Sequence, residues 1–138
     1  MGLVSAVRKV TPVLVVEKIE PVVAFWEKLD VKPSTQVPGA DGLVFAIFSA
    51  EGVEVMYQTA ASVKEDLVAS SLDAQAFRGG NQQSILYVEV SELAYVERLL
   101  AGECLVMPRR KTFYGAIESA YADPAGNIVV FAERDAGH

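Results

Sequence analysis

The chain writes one pattern twice. A strand, a helix and three further strands can be read over residues 8–58, and the same order returns over residues 83–133. Val16, before the first helix, matches Val90 before the second, an offset of 90 − 16 = 74. Gly52, in the last hairpin of the first copy, matches Gly126 in the second at the same offset, so the copies register without gaps. A unit of about 60 residues buries too little surface to hold a generous core alone. The two copies must therefore share a core in one domain of 138 residues. The expected architecture is α+β, a tandem βαβββ repeat whose paired sheets enclose a concave space, the usual place for a ligand.

Local chemistry supports each element. Val10–Val16 reads as the first strand, with Pro12 favouring its start or an edge. Pro21 suits the first turn of a helix, and Val22, Phe25, Trp26 and Leu29 make one apolar stripe. A short strand over Val31–Val37, a turn over Pro38–Gly42 and an apolar strand over Leu43–Ser49 follow. In Val53–Gln58 strict alternation puts Glu54, Met56 and Gln58 on one face and Val53, Val55 and Tyr57 on the other. Residues 59–82 break the pattern and read as a linker, with a short helix over Val63–Val68 and a flexible joint at Phe77–Asn81. The second copy has a strand over Gln83–Val90, a helix over Glu92–Ala101 stopped by Gly102, and a short strand over Cys104–Met107. Pro108 and the basic Arg109-Arg110-Lys111 follow as a solvated edge. The strand Ala116–Ala122 enters the turn Asp123-Pro124-Ala125-Gly126-Asn127, which an apolar strand leaves.

Several functions are disfavoured. A net charge of −6 argues against nucleic acid, which wants a basic face. No apolar run approaches the roughly 20 residues of a membrane span, and the N-terminal residues carry their charges in the wrong order for a secretory signal. The cytoplasm is the expected compartment. Cys104 is the single cysteine, read as core filler, and the single histidine is His138. That composition argues against disulfides, His/Cys zinc sites and histidine-based triads.

Two stretches carry a family resemblance. Thr11-Pro12-Val13-Leu14-Val15-Val16, followed by Ala24-Phe25-Trp26, is similar to the opening of bleomycin-resistance proteins. Tyr114-Gly115, then Tyr121-Ala122-Asp123-Pro124-Ala125-Gly126-Asn127, resembles their aromatic-Gly and Asp-Pro-x-Gly-Asn ending. The chain thus resembles the vicinal-oxygen-chelate superfamily of glyoxalase I, extradiol dioxygenases and bleomycin-resistance proteins, over roughly residues 8–133. The resemblance implies a curved mixed sheet and a homodimer. It also implies metal-ligand positions on the first and last strand of each repeat, which fall at Thr11, Met56, Ile85 and Val130. None of these side chains is a good ligand for the metals that such sites hold. The expectation is the metal-free, bleomycin-resistance-like branch, with no metal and no cofactor.

The leading functional expectation is a protein that sequesters a small molecule, cationic or aromatic, in an apolar cup. Its candidate ligand-binding residues are Trp26, Glu54, Met56, Gln58, Tyr87, Glu89, Glu118 and Val130. Tyr87 and Trp26 would stack on a flat ligand, and Glu54, Glu89 and Glu118 would attract a cationic group. Strand parity adds Val13, Val15, Ile85, Ile128 and Ala132 to the cup face. The alternatives are a glyoxalase-like or dioxygenase-related enzyme and a non-catalytic interaction module. The enzyme would use Glu54, Gln58 and Glu118 for an unusual metal site, or a carboxylate whose pKa burial has raised.

Overall fold

The computed structural model describes residues 6–69 and 83–134, with the side chains of residues 67–69 excepted. The first half contains β1 (Val13–Val16), α1 (Glu20–Glu27), β2 (Thr35–Gly39), β3 (Gly42–Ala50), β4 (Val53–Thr59) and α2 (Ala60–Ala69). The second contains β5 (Ile85–Glu89), α3 (Leu93–Leu99), β6 (Cys104–Lys111), β7 (Ala116–Ala122) and β8 (Ile128–Arg134). They build two four-stranded sheets of the same topology, ordered β1-β4-β3-β2 and β5-β8-β7-β6. In each, the strand before the helix pairs in parallel with the last strand, and the other pairings are antiparallel. The fold is α+β, with the βαβββ order present twice.

The pairing registers carry the duplication to the level of residues. Val13 lies opposite Met56 in the first sheet, and Tyr87 lies opposite Val130 in the second, both 74 positions on. The helices follow: Ile19, Val22 and Trp26 are buried, as are Leu93, Val96 and Leu100 at the same offset. The third strand of each sheet does not. Phe45 pairs with Gln58, and Glu118 pairs with Ala132, so β3 and β7 are offset by 118 − 45 = 73. The hairpin that closes the second repeat holds one residue more, so the gapless register expected from the sequence is corrected by one position there.

One face of each sheet builds the core. Leu14, Val16, Phe48, Val55 and Tyr57 from the first sheet and Tyr121, Val129 and Phe131 from the second join α1 and α3 in one apolar cluster. Alternation along β4 and β8 sends every second residue to this face, and the stripe of α1 covers it. Phe25, Trp26, Phe48 and Tyr57 meet in series, edge to face or tilted, with centroids 5.7–6.3 Å apart. Trp26 Nε1 donates to Tyr57 Oη at 3.1 Å, so the indole nitrogen is satisfied inside the core. Lys28, just past α1, pairs with Glu103, just past α3, and ties the repeats together on the outside.

Several expected boundaries shift. The first strand begins at Val13, after Pro12, whose carbonyl accepts from Met56 N–H at 3.0 Å. The second strand runs to Gly39 through Pro38, so the turn is shorter than Pro38–Gly42. Thr59 belongs to β4, and the helix expected over Val63–Val68 is α2, beginning at Ala60. The joint at Phe77–Asn81, and His138, lie outside the described residues. The short strand expected over Cys104–Met107 is longer: β6 continues through Pro108 to Lys111 as the edge of its sheet, with register shifts on either side of Met107. A proline at an edge strand costs no ladder bond. Cys104 is exposed at the head of that strand, where no core forms around it.

Candidate functional site

The opposite face of each sheet points away from α1 and α3; α2 reaches one end of it in the first sheet, where Ser62 and Asp66 accept from Gln58. Its residues follow from strand parity: Val13, Phe45, Ile47 and Met56 in the first sheet, and Ile85, Tyr87, Glu118 and Val130 in the second. The two faces differ chemically. The first presents a half-buried apolar surface. Its polar groups are spoken for: Glu54 accepts from Ser49 Oγ at 2.8 Å and pairs with Lys9 at 3.4 Å, and Gln58 donates to Asp66 at 2.8 Å and to Ser62 at 3.0 Å.

The second face is built around Glu118. Its side chain is 1% exposed, yet it stands in mid-strand on β7 facing away from the core. Tyr87 Oη and Tyr114 Oη both donate to Oε2, at 2.7 and 2.6 Å. Arg110 donates to Oε1 from Nη2 at 3.2 Å and from Nε at 3.4 Å. Tyr87 sits on β5, two strands from β7, so its ring must cross β8. The crossing is possible because the neighbours there are small: Ala132, between Glu89 and Glu118 in the pairing row, is fully buried, as are Ala116 and Ala120 to within 2%. Strands about 4.8 Å apart put two spacings within the reach of a tyrosine only over such a floor. Tyr114 arrives from the turn between β6 and β7, where Gly115 adopts a positive φ of 81°. Arg110 is brought opposite Glu118 by the β6 register. At the end of the face Arg134 Nε donates to Glu89 at 3.0 Å.

The electrostatics differ from the sequence expectation. Burial pushes the Glu118 carboxyl up, but the hydrogen bonds of Tyr114, Tyr87 and Arg110 together outweigh it and hold the pKa below the ordinary value. A carboxyl raised into the range of a general base is therefore corrected to an ionised, saturated carboxylate. The same carboxylate holds the Tyr87 phenol far above its ordinary range, through its hydrogen bond first and burial second.

The candidate residues divide accordingly. Tyr87, Glu89 and Glu118 gather on the second sheet with Val130 beside them, and Glu54, Met56 and Gln58 share the free face of the first. Trp26 is corrected: it is 5% exposed on the helix-covered side, bonded to Tyr57, and cannot stack on a ligand at the free faces. Arg110 and Tyr114 escaped sequence reasoning. Arg110 was read as edge charge, and only a continuous β6 register would have placed it opposite Glu118. An open groove of about 880 Å³ lies elsewhere, between the starts of α1 and α2 and the β2–β3 turn. Its Glu20 is occupied in accepting from Leu43 N–H at 2.7 Å.

The positions where the resemblance would put metal ligands, Thr11, Met56, Ile85 and Val130, do not fit a metal here: they supply no imidazole and no carboxylate, and the residues paired with Met56 and Val130, Val13 and Tyr87, add none. Among the described residues no group of three His, Cys, Asp or Glu side chains is gathered as metal ligands would be. Nor is any helix among them long and apolar enough to cross a membrane.

No protein-family model matches the sequence, and no curated protein matches it significantly. Solved structures do. A glyoxalase/bleomycin resistance protein/dioxygenase from Nocardioides is 24% identical, with a TM-score of 0.68 over 99% of this chain and 89% of that one. A glyoxalase-related enzyme from Fulvimarina pelagi is 18% identical, with a TM-score of 0.68 over 93% of this chain and 89% of that one. TioX from Micromonospora sp. ML1 is 16% identical, with a TM-score of 0.70 over 91% and 97%. With two βαβββ units, matched registers and these neighbours, the chain has the fold of the glyoxalase/bleomycin resistance/dioxygenase proteins.

Proposed function

We propose that the protein binds a small organic molecule against the free faces of its sheets, without a metal ion, and acts by holding it. The observation that carries this reading is the composition of those faces. The first is apolar and half-buried where the fold family has its cavity, and the buried charge of the second, Glu118, accepts from Tyr87, Tyr114 and Arg110. Such a surface binds and orients; it offers no free base and no metal-ligand set. A carboxylate saturated by four donors does not favour the acid–base enzyme.

The cup is completed by a second copy of the chain. Ile85 is 66% and Tyr87 46% exposed on the free face of the second sheet, and Val13 and Val37 are 46% and 42% exposed on that of the first, large apolar side chains that a partner copy would cover. Light scattering on the purified protein should give the mass of a dimer, and Ile85→Glu should shift it toward monomer; a monomeric wild type at micromolar concentration overturns the dimer.

Protein purified without chelator should carry no stoichiometric divalent metal. Its Met56 methyl signal and the methyl signals of Val13 and Val130 should shift on titration with bleomycin or planar aromatic compounds, and EDTA should not change that response. Stoichiometric metal, or binding that requires one, would overturn the reading.

A further inference from the structure

We propose that the second-sheet face selects an uncharged, planar ligand that donates a hydrogen bond, and that Glu118 is the positioning residue that makes it do so. This rests on the ligand-binding reading above. An ionised carboxylate accepts hydrogen bonds and cannot donate. Each phenol has one proton, and both protons are spent on Glu118 Oε2, at 2.7 Å from Tyr87 and 2.6 Å from Tyr114. Both phenol oxygens are therefore left with lone pairs only. They crowd one carboxylate oxygen, on residues that remain 46% and 38% exposed for Tyr87 and Tyr114. What the face offers a visitor is a pair of acceptors, polarised by the carboxylate behind them.

Charge points the same way. Each acid expected to draw a cation already has a partner within the chain: Glu54 has Lys9 at 3.4 Å, Glu89 has Arg134 at 3.0 Å and Glu118 has Arg110 at 3.2 Å. The three glutamates of the faces are thus neutralised from within. Ile85 and the half-buried Val130, beside Tyr87 on the same face, offer an apolar surface to a flat hydrocarbon body. A phenol or an aromatic N–H compound combines the two demands.

The test is an NMR titration of the full chain with four probes of one ring system: 2-naphthol, 2-methoxynaphthalene, 2-naphthoate and 2-naphthylmethylammonium. 2-Naphthol should bind best, with the methoxy compound about tenfold weaker for want of a donor. Tyr87→Phe should weaken 2-naphthol and leave 2-methoxynaphthalene unchanged. Glu118→Leu removes both acceptor oxygens and frees the phenol protons to turn outward, so the naphthol preference should collapse or invert; Glu118→Asp should keep part of it. A merely structural role for Glu118 would weaken all four probes together. Equal or tighter binding of the methoxy, carboxylate or ammonium probe overturns this selectivity while leaving the ligand-binding reading in place. Failure of all four to bind up to millimolar concentration overturns both.

Discussion

Phe45 and Glu118 occupy equivalent places in the two repeats. Phe45 stands opposite Gln58 on the free face of the first sheet, and Glu118 stands opposite Ala132 on the free face of the second. One position is a hydrophobe and the other a buried carboxylate held by two tyrosines and an arginine. The duplication supplied one scaffold, and the difference at this pair divides the chain into an apolar wall and a polar one.

The polar wall has an acid limit. The folded Glu118 carboxyl lies below its ordinary pKa, so its contribution is complete above the unfolded carboxyl pKa, about 4.3, and is lost as pH falls through the folded value. Wild type should lose stability below about pH 5. Glu118→Gln should cost about 1 kcal/mol at neutral pH, since the flanking side chains can turn to water, and should flatten the acid slope. Urea denaturation from pH 3 to 7 reads both.

Asp123 should behave in the opposite sense. Its Oδ1 accepts from the amides of Ala125 and Asn127, both at 2.9 Å, while its buried Oδ2 has no partner. Burial pushes its carboxyl up, against the pull of those amides. The unfolded chain therefore ionises first, and stability falls as pH rises from about 4 to the folded pKa. Asp123→Asn keeps the Oδ1 acceptor and should remove that contribution, visible as a rise in the variant's melting temperature relative to wild type as pH goes from 4 to 7.

Trp26 should matter for stability and not for binding. Trp26→Phe removes the bond to Tyr57 Oη and leaves a void among Phe25, Phe48 and Tyr57. A loss of about 2 kcal/mol is expected in chemical denaturation, with ligand affinity unchanged. The Tyr57 phenol, which burial foremost raises to about 12 and the Trp26 bond pulls back down, should titrate higher still once that donor is lost.

Two glycines separate strain from crowding. Gly126 has φ +90° with open space where a Cβ would go, so Gly126→Ala should cost about 1 kcal/mol from backbone strain alone. Gly42 has φ +130°, and a Cβ there would meet Glu20 Oε2 at 2.8 Å. Gly42→Ala should cost more, because it also disturbs the Glu20 to Leu43 bond. Paired thermal melts check the order.

The sequence by itself determined the repeat, the alternation of β4 and the stripe of α1, because hydrophobic period and turn chemistry are local and survive in one dimension. It also determined which faces Met56, Tyr87 and Val130 occupy, since a strand has only two. What the residue string could not carry was distance. Trp26 and Tyr57 are 31 positions apart, and their bond decides that the indole serves the core. Glu118 gathers Tyr87, Arg110 and Tyr114 from a strand, an edge and a turn, through a one-residue slip in the last hairpin and an edge strand that runs past Pro108. The tertiary structure alone decided whether that carboxylate is a base or an anchor, because its protonation depends on neighbours that only folding brings within hydrogen-bond reach.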